Sequence, residues 1–144
     1  MITYADTGFV VSLYKVESTS ARAAAVMQGL TGPVWLSPLV ELELRNAIQL
    51  AVFRKEIGAD EASLKWKLFR EDAGKGVFAI RSVPLLAWFA LAGELSDRHS
   101  ASLGTRSLDL MHVGAAMLLE ATAFLSFDDR QRKAAAMEGL EVFP

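Results

Sequence analysis

Short apolar, strand-prone runs alternate along the whole chain with longer segments whose apolar residues recur at helical spacing, and this alternation limits the possible folds more than any other feature. Residues 2–5, 34–36, 77–83, 123–127 and 140–143 read as strands. Helices are expected around Phe9–Tyr14 and over 19–30, 38–55, 60–74, 85–102, 108–119 and 129–137. Ser37-Pro38 opens the third of these as N-cap and first helical residue, and Asp60 is placed to cap the fourth. Apolar positions Leu39, Leu42, Ala47, Ile48, Leu50 and Ala51 are expected to run along the third helix, and Leu64, Leu68 and Phe69 along the fourth. Such alternation predicts a mostly parallel sheet covered by helices on both faces, with right-handed crossovers. Sheets of this kind collect their functional groups beyond the carboxyl ends of the strands, near a switch in strand order.

The chain has 144 residues, 52% of them hydrophobic and 22% charged, so one domain over residues 1–144 with one packed core is expected. Cysteine is absent, which removes disulfides, thiolate metal sites and thiol nucleophiles together. The start, Met-Ile-Thr-Tyr-Ala-Asp, has no basic stretch followed by an apolar one, and the apolar run near residues 83–93 is too short for a bilayer. A cytoplasmic protein with no membrane partner is the expectation. The net charge of −2 gives no basic excess for nucleic acid, although acids that bind cations would change that balance.

Four acids stand out by position. Asp6 directly follows the first strand, and Asp128 follows the fourth, each beside a hydroxyl (Thr7, Ser126) that can orient a carboxylate or hold a metal-bound water. Glu43 lies in the second turn of the third helix among small and apolar neighbours, where an unpaired charge is costly. Asn46, three residues on, is a candidate auxiliary contact. Asp109 opens a helix whose macrodipole favours an anion. The four are too far apart along the chain for a local metal loop. If they meet, they cannot all ionise at close range without a cation, and oxygen ligands of this kind suit Mg²⁺ or Mn²⁺ rather than zinc. Such a site can activate water for phosphodiester hydrolysis.

Segments 2–8 (Ile-Thr-Tyr-Ala-Asp-Thr-Gly), 39–47 (Leu-Val-Glu-Leu-Glu-Leu-Arg-Asn-Ala), 105–116 and 124–132 resemble, in order and spacing, the four signature stretches of the PIN-domain family. No single stretch is specific, but four in register are. The resemblance implies a three-layer sandwich around a five-stranded sheet of order 3-2-1-4-5, an acidic Mg²⁺/Mn²⁺ pocket formed by Asp6, Glu43, Asp109 and Asp128, and RNA cleavage. For VapC-like members it also implies homodimers and an inhibitory antitoxin partner, so that the chain would be the toxin of a toxin–antitoxin pair. Glu41 competes with Glu43 for the second acid; Glu43 is preferred because the family's Glu is usually followed four residues later by Ala, here Ala47. Asp129 competes with Asp128 for the fourth, with Asp129 otherwise a helix cap or auxiliary ligand.

Each residue also has a plainer reading. Asp6, Asp109 and Asp128 could be ordinary helix caps, and Glu43 an ordinary solvated helix acid. His112 is expected to be a packed structural residue rather than a proton carrier. Arg106 holds a phosphate, pairs with the acids or is a plain surface arginine, and Arg130, Arg132 and Lys133 form either an RNA-facing edge or a solvated helix face. Trp66 and Trp88 are expected in the core. A phosphoacceptor receiver module needs a paired acid and a late lysine that are not in place, and a haloacid-dehalogenase phosphatase needs an Asp-x-Asp, whereas Asp6 is followed by Thr7-Gly8. The remaining alternative is a PIN fold that binds RNA or protein without cutting.

Overall fold

The computed structural model describes residues 1–144. In chain order the elements are β1 (Thr3–Ala5), α1 (Thr7–Tyr14), α2 (Ser20–Gly29), β2 (Val34–Leu36), α3 (Pro38–Phe53), α4 (Ala59–Gly74), β3 (Phe78–Ile80), α5 (Leu85–Leu103), α6 (Ser107–Leu118), β4 (Ala123–Leu125), α7 (Asp129–Met137) and β5 (Glu141–Phe143). The strands form one sheet of order β3-β2-β1-β4-β5. All four pairings are parallel, with Tyr4 beside Trp35 on one side and Phe124 on the other. The expected sheet order is therefore observed, and the sheet is wholly rather than mostly parallel.

Right-handed crossovers decide the layers. From β1 the chain steps outward to β2 and β3, then jumps back across β1 to β4 and continues to β5. The direction of travel reverses at the jump, so α1–α4 cover one face and α5–α7 the other. The helices pack accordingly, α1 with α2 and α3 and α3 with α4 in one set, and α5 with α6 and α7 in the other. The reversal puts the switch in strand order between β1 and β4, at the carboxyl ends where Asp6 and Ser126 follow.

The central strands β1 and β4 are buried along their length and the edge strand β5 is not, as expected when both faces are covered. Tyr4, Phe9, Phe69, Phe124, Leu36 and Leu44 are the largest fully buried side chains. On the far layer, the Trp88 indole N–H of α5 donates to the Met111 carbonyl of α6 at 2.6 Å, and Gly114 lies against Trp88. Gly104 ends α5 in the left-handed conformation at φ +70°, which a side chain adopts only at a cost. No helix is long and apolar enough to cross a membrane.

Several sequence-based expectations need correction. The third and fourth strands are shorter than their apolar runs: Arg81 N–H still reaches the Leu36 carbonyl, but the chain then leaves the sheet towards Pro84, which restricts the residue before it. On α3 the buried stripe is Val40, Leu44, Ile48 and Ala51, while Leu42 and Leu50 face out. The helix is apolar around most of its circumference, so periodicity alone did not separate two neighbouring stripes, and packing against α1 and α4 selected one. On α4, Leu64 and Leu68 are exposed and only Ala62 and Phe69 are buried. Gly58 rather than Asp60 occupies the cap of α4, leaving Asp60 in the first turn, where the helix dipole favours an acid. Ser37 sits at the cap of α3, but its hydroxyl is committed elsewhere.

Candidate active site

A cleft of about 830 Å³ opens at the carboxyl ends of the central strands. Asp6, Glu43, Asp109 and Asp128 all line it, together with Thr7, Arg106, His112 and Gln131, and Glu17, Ser18 and Thr19 border it from the α1–α2 loop. The fold thus brings four acids from four separate segments to one place, and three of them do so through helix N-termini.

Asp6 is both the cap of α1 and a cleft residue: its Oδ1 accepts from Phe9 N–H at 2.8 Å, and its Oδ2 accepts from the Ser126 hydroxyl at 2.5 Å. Burial pushes the Asp6 pKa above the ordinary carboxylate value; the Ser126 and Phe9 hydrogen bonds and charge on His112 oppose this, and Asp128 adds to it. Ser126 is fully buried and also receives Asp128 N–H at 3.0 Å, so one hydroxyl links the two strand-end acids. Asp128 caps α7 by accepting from Gln131 N–H at 2.9 Å. Asp109 accepts from Arg106 N–H at 2.8 Å on one oxygen and from the Gln131 amide at 3.1 Å on the other.

Glu43 reaches the cleft from the second turn of α3. Its Oε1 accepts from the Thr7 hydroxyl at 2.8 Å and lies 2.7 Å from His112 Nε2. Burial works to raise its pKa, but the hydrogen bond and charge of His112 and the Thr7 bond outweigh it, and Glu43 is held below its ordinary value. The guanidinium of Arg106, which is largely exposed, stands 3.4 Å from Asp109 and 3.9 Å from Asp128.

Asp6, Asp109 and Asp128 thus serve their helix starts, as the plainer reading has it, and line the cleft as well. Of the two pairs of competing acids, Glu43 and Asp128 line the cleft, while Glu41 and Asp129 do not. Asn46 is exposed and lies outside the cleft: it sits about one turn further along α3 than Glu43, away from the start of the helix that faces the strand ends. Thr7 and Ser126 orient carboxylates. Arg106 pairs with the acids. Arg132 is committed to the Ser126 carbonyl at 2.9 Å, leaving Arg130 and Lys133 exposed on α7.

Sequence reasoning underrated His112 and missed Gln131, Tyr4 and Ser37. His112 is buried as expected of a structural residue, yet it lines the cleft and touches Glu43. Its spacing of three from Asp109 on one helix was a usable signal. Gln131 follows Asp128 by three residues, the interval of a capping box, which was another.

The donors available to a metal are carboxylate oxygens backed by hydroxyls and an amide, without thiolate, and such a set suits a hard divalent cation. Two observations agree with this chemistry. Glu43 Oε2 and Asp128 Oδ2 accept no hydrogen bond from the protein, and burial of Asp6 beside Asp128 leaves a carboxylate that a nearby cation would stabilise. No three Asp, Glu or His side chains are already grouped around one ligating point. Arg106 supplies the positive charge between Asp109 and Asp128, and a cation there requires its guanidinium to turn aside.

The family profile described as "PIN domain" matches residues 3–137. No curated protein matches the sequence. Among solved structures, the chain is similar to the Mycobacterium tuberculosis VapC20, a sarcin-ricin loop cleaving toxin, at 18% identity and a TM-score of 0.70, with 99% of each chain covered. It is also similar to FitAcB from Neisseria gonorrhoeae (16%, TM-score 0.69, 99% and 97% covered) and to VapBC2 from Rickettsia felis, solved with a DNA fragment from its promoter (16%, TM-score 0.67, 99% and 97% covered). At these identities the likeness establishes the shared fold.

Proposed function

This chain belongs to the PIN-domain family, and from that premise we propose that it is an Mg²⁺- or Mn²⁺-dependent endoribonuclease and the toxin of a toxin–antitoxin pair. The observation that carries the reading is the convergence of Asp6, Glu43, Asp109 and Asp128 in one cleft. The toxin assignment is supported by end-to-end similarity to VapC20 and to a Klebsiella pneumoniae toxin–antitoxin complex. An antitoxin protein and a second copy of the chain are the partners that go with this reading.

Asp6, Glu43, Asp109 and Asp128 would hold the cation, which supplies activation of water and stabilisation of charge developing on the phosphate. The protein's own groups prepare that site. Phe9 N–H and Ser126 fix Asp6, Thr7 and His112 fix Glu43, and Gln131 ties Asp109 to the α7 terminus that Asp128 caps. Arg106 at the cleft mouth offers a guanidinium fork to a backbone phosphate once it leaves the acids.

The test is cleavage of a mixed cellular RNA pool by purified protein, with Mg²⁺ or Mn²⁺ against EDTA, beside Asp6→Asn. Metal-dependent cleavage that falls ~100-fold or more in the variant is expected, since even groups that only orient metal ligands are worth about 10–100-fold. A fully active Asp6→Asn protein overturns the assignment. A second reading, a PIN fold that binds RNA or protein without cutting, is favoured by the way Arg106 bridges Asp109 and Asp128. It predicts RNA that is bound but intact in Mn²⁺.

A further inference from the structure

Behind Glu43 runs a chain of hydrogen bonds that crosses the central sheet. His112 is almost wholly buried on α6 and is engaged at both ring nitrogens: Nε2 lies 2.7 Å from Glu43 Oε1, and Nδ1 lies 3.1 Å from the Tyr4 hydroxyl. The Tyr4 hydroxyl in turn lies 2.9 Å from the Ser37 hydroxyl at the start of α3. Ser37 and Tyr4 are fully buried, so no water competes for these bonds. The Glu43 carboxylate only accepts hydrogen bonds, which requires the proton on His112 Nε2. The opposite nitrogen is then matched by a hydroxyl that can donate or accept, and this hydroxyl is in turn matched by a second one. A neutral ring with its proton on Nε2, or an imidazolium with a proton on each nitrogen, leaves all four groups satisfied, whereas a neutral ring with its proton on Nδ1 sets two acceptors against each other at Glu43.

The chain also closes a loop. Ser37 and Glu43 lie on the same helix, Tyr4 on the strand that ends at Asp6, and His112 on the helix that starts with Asp109. The position of Ser37 explains why it forms no side-chain cap on α3: its hydroxyl is drawn to Tyr4 instead. The elements that carry three of the four cleft acids are thus joined by polar contacts in a buried region.

We propose that His112, with its Nε2 proton held towards Glu43 by a ring anchored on the Tyr4–Ser37 hydroxyl pair, acts beside Thr7 as a positioning residue that sets the Glu43 carboxylate for the cleft. A carboxylate on a long side chain has several rotamers; beside the Thr7 hydroxyl at 2.8 Å, a donor at 2.7 Å from a ring locked at its far side selects one of them. The role rests on the reading of Glu43 as a metal-holding acid, but the placement of the proton does not.

Two variants keep roughly the bulk of the side chain, and one of them keeps a donor for Glu43. His112→Phe removes the donor, and His112→Gln retains an N–H in reach of Glu43. Mn²⁺ binding by calorimetry should weaken about 10–100-fold in His112→Phe and recover most of that loss in His112→Gln, with RNA turnover following kcat rather than KM. Equal Mn²⁺ affinity in wild type and His112→Phe overturns the proposal, as does an equal loss in both variants, which marks a packing role. The wild-type protein with ¹⁵N-labelled histidine gives a readout independent of activity and metal. A proton resonance on Nε2 of His112 is expected, and a proton confined to Nδ1 overturns the proposal. If RNA is never cleaved but the Nε2 proton and the Mn²⁺ series come out as expected, the nuclease assignment fails and the positioning role stands.

Discussion

Asp6 makes the conflict between stability and function visible in a single side chain. The pocket favours its protonated form, since burial raises its pKa from the ordinary 3.8. The folded state therefore keeps a proton that the unfolded chain has already released over the range from that ordinary value up to the raised one. By linkage, stability of the metal-free protein falls as pH rises through this range. Glu43 works with the opposite sign: its pKa is lowered from 4.5, so its contribution is present above that value and is lost as pH falls below it. Asp6→Asn keeps an acceptor for Phe9 N–H and turns an amide towards Ser126, which can accept from it. The variant should unfold at a higher temperature than wild type in EDTA at neutral pH, and its stability should lose the decline above the ordinary carboxylate range. Thermal melts across pH check this; a variant less stable than wild type in EDTA would show that the ionised carboxylate is well accommodated.

At the level of elements, α5 and α6 meet at Gly114, where an added Cβ would stand 3.5 Å from Trp88 and 3.7 Å from Leu95, an ordinary contact distance. The glycine is interior to a helix, where it costs about 0.5–1 kcal/mol relative to alanine. Gly114→Ala should therefore stabilise the fold by about that amount, read by denaturant titration, whereas Gly114→Val should destabilise it because its extra methyl groups have nowhere to go. A destabilised alanine variant would mean that the two helices cannot yield at all. The same helices mark how far the sequence could be read. Asp6, Asp109 and Asp128 were legible because each follows a strand or opens a helix, and α7 was bounded correctly by its acid cap and Gly139. The side of α3 that packs inward was not legible, because Leu39, Leu42 and Leu50 form as good a stripe as Val40, Leu44 and Ile48 until α1 and α4 are in place. Nor was the pairing of Tyr4 with His112 and Ser37, or of Gln131 with Asp109. Those contacts join residues far apart in sequence, and the sheet register and the packing of helices on its two faces decide them rather than any local pattern.

For the molecule as a whole, the cleft ties global stability to cation binding, since its acids come from segments at both ends and in the middle of the chain. A ligand that binds only the folded state adds about 2.7 kcal/mol at one hundred times its dissociation constant. About 1 kcal/mol moves the melting temperature of a chain of this size by roughly 2–4 °C. Saturating Mn²⁺ should therefore raise the wild-type Tm by about 5–10 °C over EDTA. The gain should be largely lost in Asp6→Asn, so the order of stability of the two proteins reverses between EDTA and Mn²⁺. That reversal separates an ion held by the four acids from one adsorbed on the acidic surface, which would raise both melts alike. An unchanged wild-type Tm in Mn²⁺ would instead place the displacement of Arg106, and with it assembly of the metal site, after the arrival of the phosphate backbone.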